Sequence, residues 1–246
     1  MHIQNRKALN RVSRDGKGYI DFGFAKYDHN RHGRQGFPEA IYAPSKTKEQ
    51  LLKFAKEFLR NHPKNPVLFT RLEPAIARAI VKLDKKRIVY NPAGKILALY
   101  SSANHKSQIT NHKSPVVAVI TAGTGDIPVA EEAAFTCEAL GSKVSRLYDV
   151  GVAGIHRLLS NSEVLKQARC AIVCAGMEGA LPSVVGGLTS CPVIGVPTSI
   201  GYGVALGGRV ALDAMLSSCA SNVCVVNIDN GFSAGVIANL IVKKSE

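Results

Sequence analysis

Residues 115–140, PVVAVITAGTGDIPVAEEAAFTCEAL, decide the fold. From Val116 to Ala122 the run is apolar without alternation, the texture of a strand buried on both faces, and it stops at Gly123. Asp126 then stands where a helix N-cap belongs, Pro128 suits the first helical turn, and Glu131 and Glu132 are expected in that first turn. A buried strand, a glycine turn and a helix in that order make the first half of a βαβ unit.

Downstream, the theme repeats in VSRLYDVG (144–151), CAIVCAGM (170–177), CPVIGVPT (191–198) and NVCVVNIDNG (222–231), with helical segments between them. Sixteen of the 22 glycines fall beyond residue 115, so the turns cluster with the strands. The pattern predicts an α/β protein: a doubly wound parallel sheet preceded by a smaller basic α/β domain. Upstream, Leu51, Leu52, Phe54, Ala55, Phe58 and Leu59 recur at helical spacing and predict a helix from about Thr47 to Arg60. PVLFTRL (66–72) and RIVYNP (87–92) read as strands, and PAIARAIVKL (74–83) as a helix opened by proline. The expected organisation is a flexible extension over 1–20, a small domain with its polar linker over 21–113, and a catalytic domain over 114–246.

Charge follows the same division. Residues 1–113 hold 23 Lys and Arg against 8 Asp and Glu, whereas residues 114–246 hold 8 against 10. An excess confined to one region suits an anionic partner, either nucleic acid or a phosphorylated small molecule, or else a solvated basic surface. There is no helix-turn-helix, RRM or zinc pattern, so nucleic acid is the weaker choice. The start is polar and basic without an apolar signal segment, and no apolar run reaches membrane-spanning length. A cytoplasmic protein without a membrane partner is expected. Its six cysteines form no CxxC pair and are expected as reduced thiols.

In a doubly wound sheet the ligand lies beyond the carboxyl ends of the strands. Four glycine-rich loops fall there: AGTGDIP (122–128), DVGVAGIHR (149–157), AGMEGALPSVVGG (175–187) and PTSIGYGVALGG (197–208). Their backbone amides suit a phosphate-bearing ligand, or else the glycines only make tight turns. Gly123, Thr124, Gly125, Gly151, Gly176, Met177, Ser199, Gly201, Tyr202 and Gly203 are the candidate substrate-binding residues. Glu178, set among apolar neighbours, is expected to have a raised proton affinity and to act as general acid or base, or else to cap a helix or ligate a metal at its start. Asp126 is a catalytic candidate or an N-cap. His156 and Arg157 suit phosphate binding, though His156 fits a structural helix position equally well. Cys137, Cys170, Cys174, Cys191 and Cys224 read as small core residues, while Cys219 stands at a helix terminus before a strand, where a thiol can be exposed.

At these loops the chain resembles a known family. TAGTGDIPVAEEA, VAGIHR, AGMEGALPSVVGGL, PVIGVPTSIGYG, LSSCAS and VNIDNGFSAG are similar to LarB, the carboxylase/hydrolase of nickel-pincer nucleotide biosynthesis. DFGFAKYDHNRHGRQGFPEAIY, KTKEQ and FTRL extend the resemblance into the first domain. Residues 115–240 also resemble, more distantly, the PurE type of aminoimidazole ribonucleotide carboxylase. The resemblance implies a PurE-like core, an octamer, and conversion of nicotinic acid adenine dinucleotide and CO2 to pyridinium-3,5-biscarboxylic acid mononucleotide and AMP. It places the nucleophilic cysteine on Cys219, the carboxylate on Glu178 and the aspartate of the PurE loop on Asp126. PurE carries a catalytic histidine in an SAHR-type motif, whereas this chain reads DVGVAGIHR, so that role does not transfer directly to His156. Arg31, Arg34 and Lys46, expected in a glycine-bearing loop and not on a helix face, are candidates to hold the adenylate or diphosphate, or to form salt bridges between subunits. Mg2+ or another divalent ion bridging phosphates is expected, with no tightly bound organic cofactor. The alternatives are an aminoimidazole ribonucleotide carboxylase/mutase and a non-catalytic nucleotide-binding oligomer.

Overall fold

A computed structural model describes residues 18–103 and 116–243. The expected N-terminal extension and most of the linker lie outside the described residues. The described residues form two compact units, 18–90 with 96–103, and 91–95 with 116–243.

In the first unit, β1 (Ile20–Asp21) and β2 (Lys26–Tyr27) pair antiparallel. They precede α1 (Arg31–Gln35), β3 (Ala40–Tyr42), α2 (Lys48–Asn61), β4 (Val67–Thr70), α3 (Pro74–Val81), β5 (Ile88–Asn91) and β6 (Ile96–Leu99). The four-stranded sheet runs β3-β4-β6-β5, with β3 parallel and β6 antiparallel to β4. Helix α2 forms where the apolar spacing placed it: Leu51, Phe54, Ala55 and Phe58 are buried, and Thr47 and Gln50 close a reciprocal capping box. An aromatic group of Phe22, Phe54 and Phe58 fills this core, with Phe22 and Phe54 centroids 4.4 Å apart.

The second unit is built on β7 (Val116–Thr121), α4 (Ile127–Ala139), β8 (Lys143–Leu147), α5 (His156–Leu159), α6 (Ser162–Gln167), β9 (Ala168–Ala175), α7 (Leu181–Leu188), β10 (Val193–Pro197), α8 (Arg209–Leu216), β11 (Val223–Val225) and α9 (Gly231–Lys243). All five strands are parallel, in the order β11-β10-β9-β7-β8. Successive residues point to opposite faces. Ala118, Ile120, Ala171, Val173 and Val193 therefore join one core with Leu158, Leu165, Leu181, Val185, Ala211 and Met215. Val117, Val119, Cys170, Ile172, Cys174, Ile194 and Val196 join a second with Ala130, Ala133, Ala134, Ala234 and Ala238. Apolar residues on both faces are why the strands read as unbroken runs, and the α/β doubly wound architecture follows from them.

Three local expectations need correction. Helix α4 starts at Ile127 and has no acidic residue in its first turn; Asp126 occupies the N-cap position, but its side chain makes no cap hydrogen bond. Cys224 is exposed, because β11 is a three-residue edge strand covered by a neighbour on one side only. Arg31 and Arg34 do lie on a helix, a five-residue one ended by Gly36 in the left-handed conformation and too short to show a period.

Candidate functional site

Four loops meet at the carboxyl edge of the parallel sheet. The first leaves β7 through Gly123 and a turn over Thr124–Asp126. Asp126 turns inward. Its Oδ2 accepts from the Gly123 amide at 2.8 Å and its Oδ1 from the Thr198 hydroxyl at 2.6 Å, and it is 3% exposed. Burial pushes its carboxyl above the ordinary range, the nearby Asp229 charge adds to this, and the donors Thr198, Gly123 and Gly176 oppose it. Asp126 is thus a buried carboxylate with a raised proton affinity at this strand end.

The second loop follows β8. Asp149 has φ 58°, donates its amide to the Thr121 hydroxyl at 2.9 Å, and pairs with Arg157 at 3.0 Å. Gly151 is required, since a Cβ there would lie 2.7 Å from the Ala122 carbonyl oxygen. His156 opens α5 and is exposed.

The third and fourth loops interlock. A Cβ on Gly176 would lie 2.1 Å from the Ile200 carbonyl oxygen, and that same oxygen accepts the Met177 amide at 2.8 Å. Met177 (φ 53°) and Gly179 (φ 64°) are both left-handed, so the chain reverses tightly around Glu178. The apolar enclosure expected for Glu178 is not found: flanking residues are small or half-buried, and its side chain is exposed. Beyond Thr198, the Ser199 amide donates to Asp229 Oδ1 at 2.8 Å. Tyr202 is three-quarters exposed, followed by Gly203 with φ 57°, while Gly125 and Gly201 back against Ile200 and Ala205.

Cys219 stands elsewhere in the chain. It is exposed, on the segment between α8 and β11, which runs along α7: the Ser218 and Ser183 hydroxyls are 2.8 Å apart, and a Cβ on Gly186 would meet that of Ala220 at 2.9 Å. Asn222 fastens the segment by donating its side-chain amide to the carbonyls of Gly186, Thr189 and Cys191. Because β9, β10 and β11 are parallel, this segment is at the amino edge of the sheet, whereas Glu178 is at the carboxyl edge. The eight residues of α7, about 12 Å of helix, run between the two edges. Cys137, Cys170, Cys174 and Cys191 are buried, and burial pushes the thiols of the first three far above their ordinary value.

In the first unit, Arg31 bonds Asp28 and Glu39, Arg34 bonds Asp28 at 2.5 Å, and the Asp28 amide donates to Glu39. These arginines hold their own loop together. Lys46 bonds the Tyr42 carbonyl and Ser45, and lines a shallow pocket with Lys26, Tyr27, Glu39 and Phe54. Among the described residues no group of three or more His, Cys, Asp or Glu could hold a metal ion, and no helix is long and apolar enough to cross a membrane.

Asp229 was missed in the sequence. Its signal was an Asp at a turn, in NIDNG, one of many such positions.

The LarB/PurE-like N-terminal domain model matches residues 19–101, and the AIR carboxylase model matches residues 116–246. An uncharacterized protein of Methanocaldococcus jannaschii is 41% identical over 225 residues, 89% of this chain and 84% of that protein. The N5-carboxyaminoimidazole ribonucleotide mutase of Pyrococcus horikoshii is 33% identical over 136 residues, 51% of this chain and 71% of that enzyme. A crystal structure of a single-residue variant of Treponema denticola PurE2 has a TM-score of 0.43 at 21% identity, over 54% of this chain and 82% of that one. With both of its units matched in order, the chain belongs to the LarB family, a LarB/PurE-like N-terminal domain followed by an AIR carboxylase domain.

Proposed function

We propose that this protein is a carboxylase/hydrolase that converts nicotinic acid adenine dinucleotide and CO2 into pyridinium-3,5-biscarboxylic acid mononucleotide and AMP. A carboxylase-type activity follows from the family; the pyridinium substrate is the further step. The observation that carries it is Cys219: an exposed thiol on a segment pinned by Asn222, in a chain whose other cysteines, Cys224 apart, are buried. The P. horikoshii mutase matches only half of this chain, and a purine carboxylase reading leaves the LarB-type first domain and Cys219 without a task.

The chemistry needs a thiol. A pyridinium ring is electron-poor and does not attack CO2. Addition of the Cys219 thiolate to the carbon para to nitrogen moves an electron pair onto the ring and gives a neutral dihydropyridine, an enamine at its unsubstituted β-carbon. That carbon forms the new bond to CO2. Glu178 then takes the ring proton, and the thiolate leaves with its electron pair as aromaticity returns. Phosphoanhydride hydrolysis draws on the loop amides, which stabilise developing negative charge. A divalent ion would supply further neutralisation of that charge; among the described residues no group of three or more His, Cys, Asp or Glu is placed to hold one.

Both groups act on one ring, yet they belong to opposite edges of one chain's sheet. A homo-oligomer, an octamer in this reading, supplies Cys219 of one copy to Glu178 of another. The exposed apolar side chains Ile200, Tyr202, Val204 and Leu206 of the fourth loop support self-association. Incubation with nicotinic acid adenine dinucleotide, bicarbonate and Mg2+ tests the reading: mass spectrometry should find a dicarboxylated mononucleotide and AMP. Turnover of aminoimidazole ribonucleotide in its place would overturn it, as would salt-sensitive retention of DNA or RNA without any turnover.

A further inference from the structure

We infer that Asp229 is the positioning residue of this site, fastening the loop after β10 and, through it, the turn that presents Glu178. The inference rests on the reading of the Glu178 turn as the place of chemistry.

Asp229 lies between β11 and α9 with φ 55°, a left-handed conformation that aspartate tolerates better than most side chains. Its backbone and side chain grip the same strand end. The Asp229 amide donates to the carbonyl of Pro197, the last residue of β10, at 2.9 Å, and its Oδ1 accepts from the Ser199 amide at 2.8 Å. Thr198 is thereby bracketed: its amide donates to Ala175, its hydroxyl to Asp126, and it is fully buried. Two residues beyond Thr198, the Ile200 carbonyl accepts the Met177 amide and occupies the space a Gly176 side chain would need. The path from Asp229 to Ser199, Ile200 and Met177 is continuous, and Glu178 is its next residue. Gly208 closes the loop's far side, since a Cβ there would meet the Thr198 carbonyl oxygen at 2.6 Å and Ile228 at 3.0 Å. A hydrogen bond to a charged acceptor is stronger than one between neutral groups, which suits a contact that must hold an exposed loop in one geometry.

Two substitutions separate the carboxylate from the backbone. Asp229→Gly removes the acceptor and keeps the left-handed φ without strain; Asp229→Asn keeps an acceptor oxygen and also tolerates that φ. Amide hydrogen exchange in the full chain gives a readout independent of any substrate. The Ser199 and Met177 amides should exchange on the order of tenfold to a hundredfold faster in Asp229→Gly. Asp229→Asn should restore most of the protection, and the Val193 and Ile172 amides of the sheet should stay as in the native chain. In the pyridinium carboxylation assay, Asp229→Gly should lower kcat with a smaller change in KM, and Asp229→Asn should recover it. Unchanged Met177 exchange in a folded Asp229→Gly variant would overturn the inference, as would equal loss in the Gly and Asn variants. A native protein without turnover rejects the proposed function alone, since the exchange result decides the positioning role by itself.

Discussion

Gly176 has no room for a side chain. An alanine Cβ would lie 2.1 Å from the Ile200 carbonyl oxygen, a backbone atom that cannot move without breaking its bond from the Met177 amide. Gly176→Ala is expected to destabilise the second unit by about 2–3 kcal/mol, measured by urea denaturation. A loss below about 0.5 kcal/mol would show that the two loops do not interlock as described. Asp126 makes a different prediction. Burial raises its folded pKa, so the proton is held more tightly in the native state than in the unfolded chain. The stability this contributes is full below the ordinary carboxylate pKa of about 3.9, and it is lost as pH rises through the raised folded value. Asparagine has no such proton to lose, and it can still accept from Gly123 while donating to Thr198. Thermal melts of Asp126→Asn should therefore gain on the native protein as pH rises through that window, while carboxylation falls; a pH-independent difference would contradict the assignment. At this scale the sequence was only partly legible. It marked the glycine loops, because glycine is needed for close approach, but it assigned the buried carboxylate to Glu178. Burial at a loop depends on which strand ends adjoin: Asp126 is covered by Thr198, 72 residues away.

Elements were most legible where many residues agreed. The three central strands β7, β9 and β10 were visible as apolar runs because both faces are covered, and α2 because four buried positions recur on one side of it. Helix α1 escaped notice because five residues cannot display a period, and Cys224 was assigned to the core because strand order, hence the edge position of β11, is not written in the strand itself. The start of α2 offers a clean test of local stabilisation. Thr47 accepts from the Gln50 amide, and Gln50 returns the contact to the Thr47 amide at 2.9 Å. Thr47→Ala should destabilise the first unit by about 1 kcal/mol in chemical denaturation without altering kcat, since the cap satisfies backbone donors and touches no substrate. An effect on turnover larger than on stability would place this helix start in the site.

For the whole molecule, the proposed function makes assembly part of the mechanism, since Cys219 and Glu178 belong to opposite edges of the sheet. Cys219→Ser and Glu178→Gln should each be inactive alone. Dissociated and reassembled together, they should regain a fraction of native turnover, because some sites then combine an intact thiol from one chain with an intact carboxylate from another. Complete absence of recovery in mixed oligomers would show that one chain supplies both groups. The covalent step itself is most directly tested by intact and peptide mass spectrometry on the 246-residue chain with nicotinic acid adenine dinucleotide and bicarbonate. Glu178→Gln should carry a substrate-derived mass on the peptide containing Cys219, and Cys219→Ser, folded and assembled as the native protein, should carry none and form no dicarboxylated product. Native-rate product formation by Cys219→Ser would contradict the account.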